Sequence, residues 1–240
     1  LHYPLRRQRQ MCIRDRSATV AVAAEKNAAA GRRLEVLFFG APTAAHPGHD
    51  PITRYRVIKR NLGTEGINFT YSENPAEVFN PQTLEHFDAL MMYGNWEQKG
   101  AMPAAQLKTL IAYVESGHGF LPIHCASACY GGSPEFIRLV GGRFQSHTTG
   151  EFEPQTVNSS HPVTQGLLPL RAWDETYVHD QHGQDRTILQ LRDKEPWTWV
   201  REQGKGRVFY TASGHDHRVW DRSEFHLLLK NAIYLSLIHI

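Results

Sequence analysis

Leu34-Glu35-Val36-Leu37-Phe38-Phe39, halted by Gly40, is the stretch on which the fold turns. A short, nearly continuous apolar run of this kind reads as a strand covered on both faces. Downstream, Asp50 can cap a helix that has Pro51 at its first position. Ile52, Tyr55, Ile58 and Leu62 then recur at helical spacing, and Gly63 and Gly66 end the pattern. Ile67 to Tyr71 reads as a second strand. Strand, helix and strand with short connections make a parallel pair joined by a right-handed crossover.

The unit repeats outward from there. Asn80-Pro81 is another cap-and-proline start, good for one or two turns. Asp88 to Tyr93 is a third strand, stopped by Gly94. Pro103 opens a helix carrying Leu107, Leu110, Ile111 and Val114, closed at Gly117. Gly119 to His124 is a fourth strand, against which Pro122 stands as an objection because proline cannot donate to a sheet ladder. Ser133-Pro134 starts a short helix closed by Gly141-Gly142. The alternation predicts an α/β fold with a mostly parallel central sheet and helices on both faces. Beyond residue 142 strand-like segments follow one another without long helices: 143–147, 151–157, 177–178, 187–191, 197–201 and 207–211. They are expected to extend the sheet edge in antiparallel fashion, before a closing helix from Glu224 to Leu235.

Composition narrows the class of function. A formal net charge of +2 is too near neutral for a nucleic-acid binder. No apolar run reaches the length of a membrane span. Arg6, Arg7, Arg9, Arg14 and Arg16 crowd together at the start, and that segment, like residues 235–240, reads as translated adaptor sequence rather than native chain, with a basic disordered tail as the competing reading. Ala21-Val22-Ala23-Ala24 resembles the end of a signal peptide, which favours a periplasmic or secreted protein; a flexible linker is the alternative. Residues 1–33 are therefore set aside as a leader, and residues 34–234 carry the domain. Three cysteines do not make a disulfide scaffold or fix the compartment.

In open α/β sheets ligands bind beyond the carboxyl ends of the strands. That rule selects His46 and His49 after the first strand and Asn95-Trp96 after the third. It also selects His124-Cys125 after the fourth and Ser213-Gly214-His215-Asp216 after the last. His124 ends a buried strand at a tight turn, the geometry of a nucleophile elbow, and an imidazole there can act as acid, base or ligand. Asp174-Glu175, just before Tyr177, offers carboxylates for acid/base work or for sugar hydroxyls. His124, Glu175, His215 and Asp216 are the catalytic candidates; His49, Trp96, His147 and Tyr177 are candidates to line a substrate pocket. His49, His124, His147, Glu175 and His215 also suit a divalent metal, although no close-spaced ligand motif is present, and whether a metal binds is open at this point. No glycine-rich phosphate loop appears, so a nucleotide cofactor is not expected.

Several longer motifs coincide with a known family. They are Gly48-His49-Asp50, Gly117-x-Gly119-Phe120-x-x-Ile123-His124, Leu139-Val140-Gly141-Gly142-x-Phe144-x-x-His147 and His161-Pro162-Val163-Thr164-x-Gly166-Leu167. To these are added Asp174-Glu175-x-Tyr177 and Gly206-Arg207-Val208-Phe209-Tyr210-Thr211-Ala212-x-Gly214-His215-Asp216. Over residues 34–234 the chain resembles the ThuA-like (trehalose utilization) family, related in fold to class I glutamine amidotransferases. The resemblance implies a flavodoxin-like sheet and a carbohydrate substrate, including oxidised keto-disaccharides. It also implies a departure: an amidotransferase carries its catalytic cysteine at the elbow, where this chain has His124, with Cys125 one position late. Glutaminase activity is not expected. Acid/base chemistry such as keto-sugar isomerisation, or a non-catalytic sugar-binding module within a longer secreted chain carrying further domains, are the two functional expectations.

Overall fold

The computed structural model describes residues 32–94 and 99–236. Strand β1 (Leu34–Phe39) lies between β2 (Ile67–Ser72) and β3 (Ala89–Met92), parallel to both. Its side chains alternate between two cores, as the period of a strand requires. Leu34, Val36 and Phe38 enter one core, Leu37 and Phe39 the other. Both faces are covered, which is why the run is almost wholly apolar.

Helix α1 (Pro51–Leu62) begins where expected: the Asp50 carboxylate accepts from the backbone N–H of Ile52 and Thr53. Asn74 and Asn80 cap two single-turn helices, α2 (Pro75–Val78) and α3 (Pro81–Leu84), in the same manner. Helix α4 (Ala104–Glu115) follows Pro103, and α5 (Pro134–Val140) ends at Gly141 in the left-handed region. Side chains of α4 and α5 pack into the core that holds Phe39. Those of α1 and of the closing helix α7 (Ser223–Leu235) pack into the core that holds Phe38.

The main sheet runs β2-β1-β3-β4-β12-β11-β10-β7, with β4 at Gly119–Pro122, β7 at Gln155–Thr156, β10 at Thr187–Arg192, β11 at Glu195–Gln203 and β12 at Gly206–Thr211. The first five in this order are parallel; β11, β10 and β7 add antiparallel pairings. The antiparallel extension is present, with two differences from the sequence expectation. β12 enters parallel beside β4 rather than antiparallel at the edge. The segments at 143–152 and 172–180 leave the main sheet and pair as two ribbons: β5 (Arg143–Ser146) with β9 (Val178–Asp180), and β6 (Thr149–Phe152) with β8 (Ala172–Glu175). Their short polar stretches have no wide apolar face to lay on a sheet.

Pro122 is accommodated without a lost bond. The amides of Gly119 and Ile123 donate to Asp88 and Met92 on the β3 side. Alternation therefore turns Pro122 toward β12. There the ladder pairs Arg207 with Gly119 and Val208 with Phe120, lapses, and resumes at Ile123 with Thr211. Among the described residues no helix is long and apolar enough to cross a membrane.

Candidate functional site

At the end of β4 the chain turns sharply. His124 takes φ 48°, a left-handed conformation rare for a residue with a side chain, and it is fully buried. Such a conformation costs on the order of 1–3 kcal/mol and persists where neighbours fix it. Its carbonyl is held by the Ser127 hydroxyl at 3.1 Å and the Tyr210 hydroxyl at 3.0 Å. Its ring is fixed from the other side, because Nδ1 lies 2.7 Å from the Ala212 carbonyl oxygen. A carbonyl only accepts, so Nδ1 donates to it, and Nε2 is left facing the cluster. That atom is 3.2 Å from Glu175 Oε2.

Glu175 closes β8, and three more imidazoles meet it. His215 Nδ1 is 3.2 Å from Oε1, His49 Nε2 is 3.8 Å from Oε2, and His147 Nε2 is 3.7 Å from Oε1. His49 Nε2 and His215 Nδ1 are themselves 3.1 Å apart. One donor atom each from His49, His124, Glu175 and His215 lies within 4.8 Å of the others. Burial works against the Glu175 carboxylate, but the His124 hydrogen bond and the charges of His124, His215 and His147 outweigh it and hold its pKa below the ordinary value. Burial, reinforced by His124 and His215, pushes the His49 pKa down to about 2. Burial also lowers that of His215, against the pull of Glu175. His49 and His215 are thus neutral near pH 7, around an ionised carboxylate.

The motifs explain how these groups come so close. In Gly48-His49-Asp50 the glycine makes room for the neighbouring ring, since a Cβ there would sit 3.0 Å from His215 Cε1. The aspartate fixes the start of α1. Gly214 adopts φ 135°, outside the range comfortable for a side chain, and its carbonyl accepts from Tyr93 Oη at 2.9 Å and Trp220 Nε1 at 2.7 Å. Asp174 then gathers the loop, accepting from the backbone N–H of Gly214, Glu175 and Asp216 at 2.8, 3.0 and 3.0 Å. Burial raises its pKa, with His124 and these three amides pulling the other way.

The structure thus brings together four of the sequence candidates, His49, His124, Glu175 and His215, with His147 half-exposed at their margin. The Tyr177 ring packs on His124 at 4.0 Å between centroids and is buried, a wall of the site. Asp216 sits next to His215 in sequence, but its carboxylate is engaged elsewhere: it caps the single-turn helix α6 (His217–Trp220) and pairs with Arg218, which with other contacts lowers its pKa to about 2. Trp96 lies outside the described residues, as do the leader at 1–31 and residues 237–240. Trp220 is fully buried and donates to the Gly214 carbonyl. Cys125 is fully buried, and burial pushes its thiol well above the ordinary range. No activated thiolate stands at this elbow.

Sequence reasoning missed two supports. Arg54, on the buried side of α1, donates from Nη2 to the His215 carbonyl at 2.6 Å. Beneath the elbow, Glu195 Oε1 accepts from the His179 amide at 2.9 Å and faces His179 Nδ1 at 3.3 Å. The other ring nitrogen meets the Tyr210 hydroxyl at 2.9 Å, and that hydroxyl meets Ser127 at 2.9 Å. An arginine at a core position of the first helix is the one signal that could have exposed the first; the second joins residues up to 83 positions apart and leaves no local pattern.

A mostly parallel central sheet with a histidine–carboxylate cluster at its carboxyl rim defines the class: an α/β domain with histidine at the turn after its fourth strand. The profile of the trehalose utilisation family, ThuA, matches residues 35–235, and the chain belongs to that family. It is similar in structure to a ThuA-like protein from Bacteroides uniformis (TM-score 0.68, 18% identity, 85% of this chain and 91% of that one). A ThuA-like protein from Parabacteroides merdae compares similarly (TM-score 0.66, 18% identity, 85% and 90%). A cold-adapted β-galactosidase from Rahnella shares the fold over 84% of this chain and 31% of that one, at TM-score 0.57 and 15% identity. Among curated proteins none matches the chain.

Proposed function

We propose that this chain acts on a carbohydrate at the rim where His49, His124, Glu175 and His215 converge, by proton transfer next to the carbonyl of a keto-sugar. The observation that carries the reading is the ionised Glu175 carboxylate ringed by imidazoles at the carboxyl ends of parallel strands. The family's name, trehalose utilisation, supports a disaccharide as the substrate class. Proton transfer of this kind needs a group that takes the carbon-bound proton and a positive or hydrogen-bonding environment for the oxyanion that develops. The cluster is rich in both kinds of group, and Tyr177 and His147 border it. His147, half-exposed, is the residue best placed to exchange protons with a substrate entering from solvent.

The test is turnover of a panel of keto-disaccharides and their unoxidised parents, followed by NMR, with the wild type and His147→Ala. The expected result is a new sugar species formed from a keto-disaccharide by the wild type, and a rate lowered about 10²-fold or more in the variant. Saturable binding with no product would leave a sugar-binding module and overturn the catalytic reading. Neither binding nor product across the panel would overturn the carbohydrate reading itself.

A further inference from the structure

We infer that His49 Nε2, His124 Nε2, His215 Nδ1 and a Glu175 carboxylate oxygen form a binding site for a divalent transition metal of the zinc type. The first support is metric. Zinc binds imidazole nitrogen at about 2.0–2.1 Å, so the ligand atoms of a tetrahedral site stand about 3.3–3.4 Å from one another. Four edges of this cluster are 3.1 Å from His215 to His49, 3.2 Å from His215 to Glu175, 3.2 Å from His124 to Glu175 and 3.8 Å from His49 to Glu175. His215 meets Oε1 and the other two meet Oε2, and all four ligand atoms lie within 4.8 Å of one another, so a modest contraction would bring them to the size that such an ion requires.

The second support is the direction of the lone pairs. The Ala212 carbonyl takes the Nδ1 hydrogen of His124, the same second partner that metal-bound histidines commonly have, and it leaves Nε2 aimed at the cluster. Nitrogen atoms of His49 and His215 approach the same carboxylate, at 3.8 and 3.2 Å. A cation at the centre would turn facing lone pairs into shared ligands and balance the buried Glu175 charge.

The third is the donor set. Three imidazoles and one carboxylate suit zinc, cobalt or nickel, whereas magnesium and calcium take oxygen ligands almost exclusively. His215 and His147 lie on the half-exposed side, where a fifth position could admit a sugar oxygen. Metal binding stands apart from the carbohydrate reading; only the role of the ion in polarising a sugar carbonyl rests on that reading.

The experiment uses the full chain, stripped with chelator and titrated with Zn²⁺ and Co²⁺, beside His215→Ala and Glu175→Gln. Metal content, calorimetry, the visible bands of bound Co²⁺ and the thermal midpoint are read, with circular dichroism to show that each variant is folded. Expected are a single equivalent of Zn²⁺ per chain, the intense spectrum of low-coordinate Co²⁺, and a raised thermal midpoint. Each folded variant should bind more than about 100-fold more weakly, since even outer partners of a metal ligand cost 10–100-fold when removed. No uptake by the wild type, tighter binding of Mg²⁺ than of Zn²⁺, or unchanged affinity in both variants would overturn the inference. Metal uptake without turnover of any sugar would sink the proposed function and leave the site; turnover indifferent to chelator, with no uptake, would do the reverse.

Discussion

Gly48 and Asp174 show how much of the site depends on residues that do no chemistry. The His215 ring fits where it does because position 48 has no Cβ; alanine there would place one 3.0 Å from Cε1 and push the ring by a few tenths of an ångström. Gly48→Ala is therefore predicted to leave the thermal midpoint within a few degrees while weakening whatever function the cluster performs by about tenfold or more, because small misplacements of reacting groups are costly. Asp174 gathers three backbone N–H groups on one buried carboxylate. Asp174→Ala leaves those donors without that acceptor, and at about 1–3 kcal/mol for each group left unsatisfied, a loss of at least 3 kcal/mol is expected in denaturant unfolding. His49, His124 and His215 stood out in the sequence because strand ends are readable and the ligand rule points to them; Glu175 stood out only as a carboxylate beside Tyr177. Their mutual contacts were not. Asp216 stands beside His215 in the chain, yet its carboxylate serves Arg218 and a helix cap, and adjacency in sequence cannot reveal that.

At the scale of elements, β1 was readable because burial on both faces writes itself as an apolar run. Phe38 lies near its carboxyl end, fully buried beside Tyr55 and Tyr71. Phe38→Ala is expected to cost about 3–5 kcal/mol in denaturant unfolding, the range for removing a buried aromatic ring. The helices were equally legible from Asp50-Pro51 and Asn80-Pro81, whose capping is local, and from Ser133-Pro134, although the Ser133 hydroxyl accepts from the Met102 amide instead of capping the helix. The late strands were not, because pairing partners are chosen by long-range packing: nothing inside residues 207–211 says that β12 lies parallel to β4 while β11 runs against it. The segments that form β5, β6 and β9 were read in part as strands and assigned to the sheet edge for the same reason, and β8 was not read as a strand. β8 matters most, since it carries Glu175 and so supplies the carboxylate at the centre of the cluster.

The whole molecule carries a built-in sensitivity to acid. His179 is fully buried between Glu195 and Tyr210, and burial lowers its pKa from 6.5 despite the Glu195 hydrogen bond and charge, with His182 and Arg186 adding to the downward shift. The unfolded chain takes up this proton near pH 6.5 and the folded chain only at lower pH, so between the two the unfolded state binds more protons. Stability is then fully present above about pH 6.5 and falls as the pH drops below it. A single such histidine contributes a slope of about 1.4 kcal/mol per pH unit. Denaturant unfolding across pH 5–8 should show this limb, and His179→Gln, less stable overall, should show a shallower one. An equal slope in the two proteins would assign the limb to other groups.

The same scale sets the test of the central claim, that the cluster at the sheet rim moves a proton next to a sugar carbonyl. A keto-disaccharide incubated in D₂O with the protein reports that step directly, as replacement by deuterium of the carbon-bound hydrogen next to the carbonyl, followed by NMR. The account predicts exchange well above the buffer rate with the wild type, and a rate lowered about 10²-fold or more with a folded Glu175→Gln protein. Exchange no faster than buffer with the wild type, or undiminished in the variant, would contradict it.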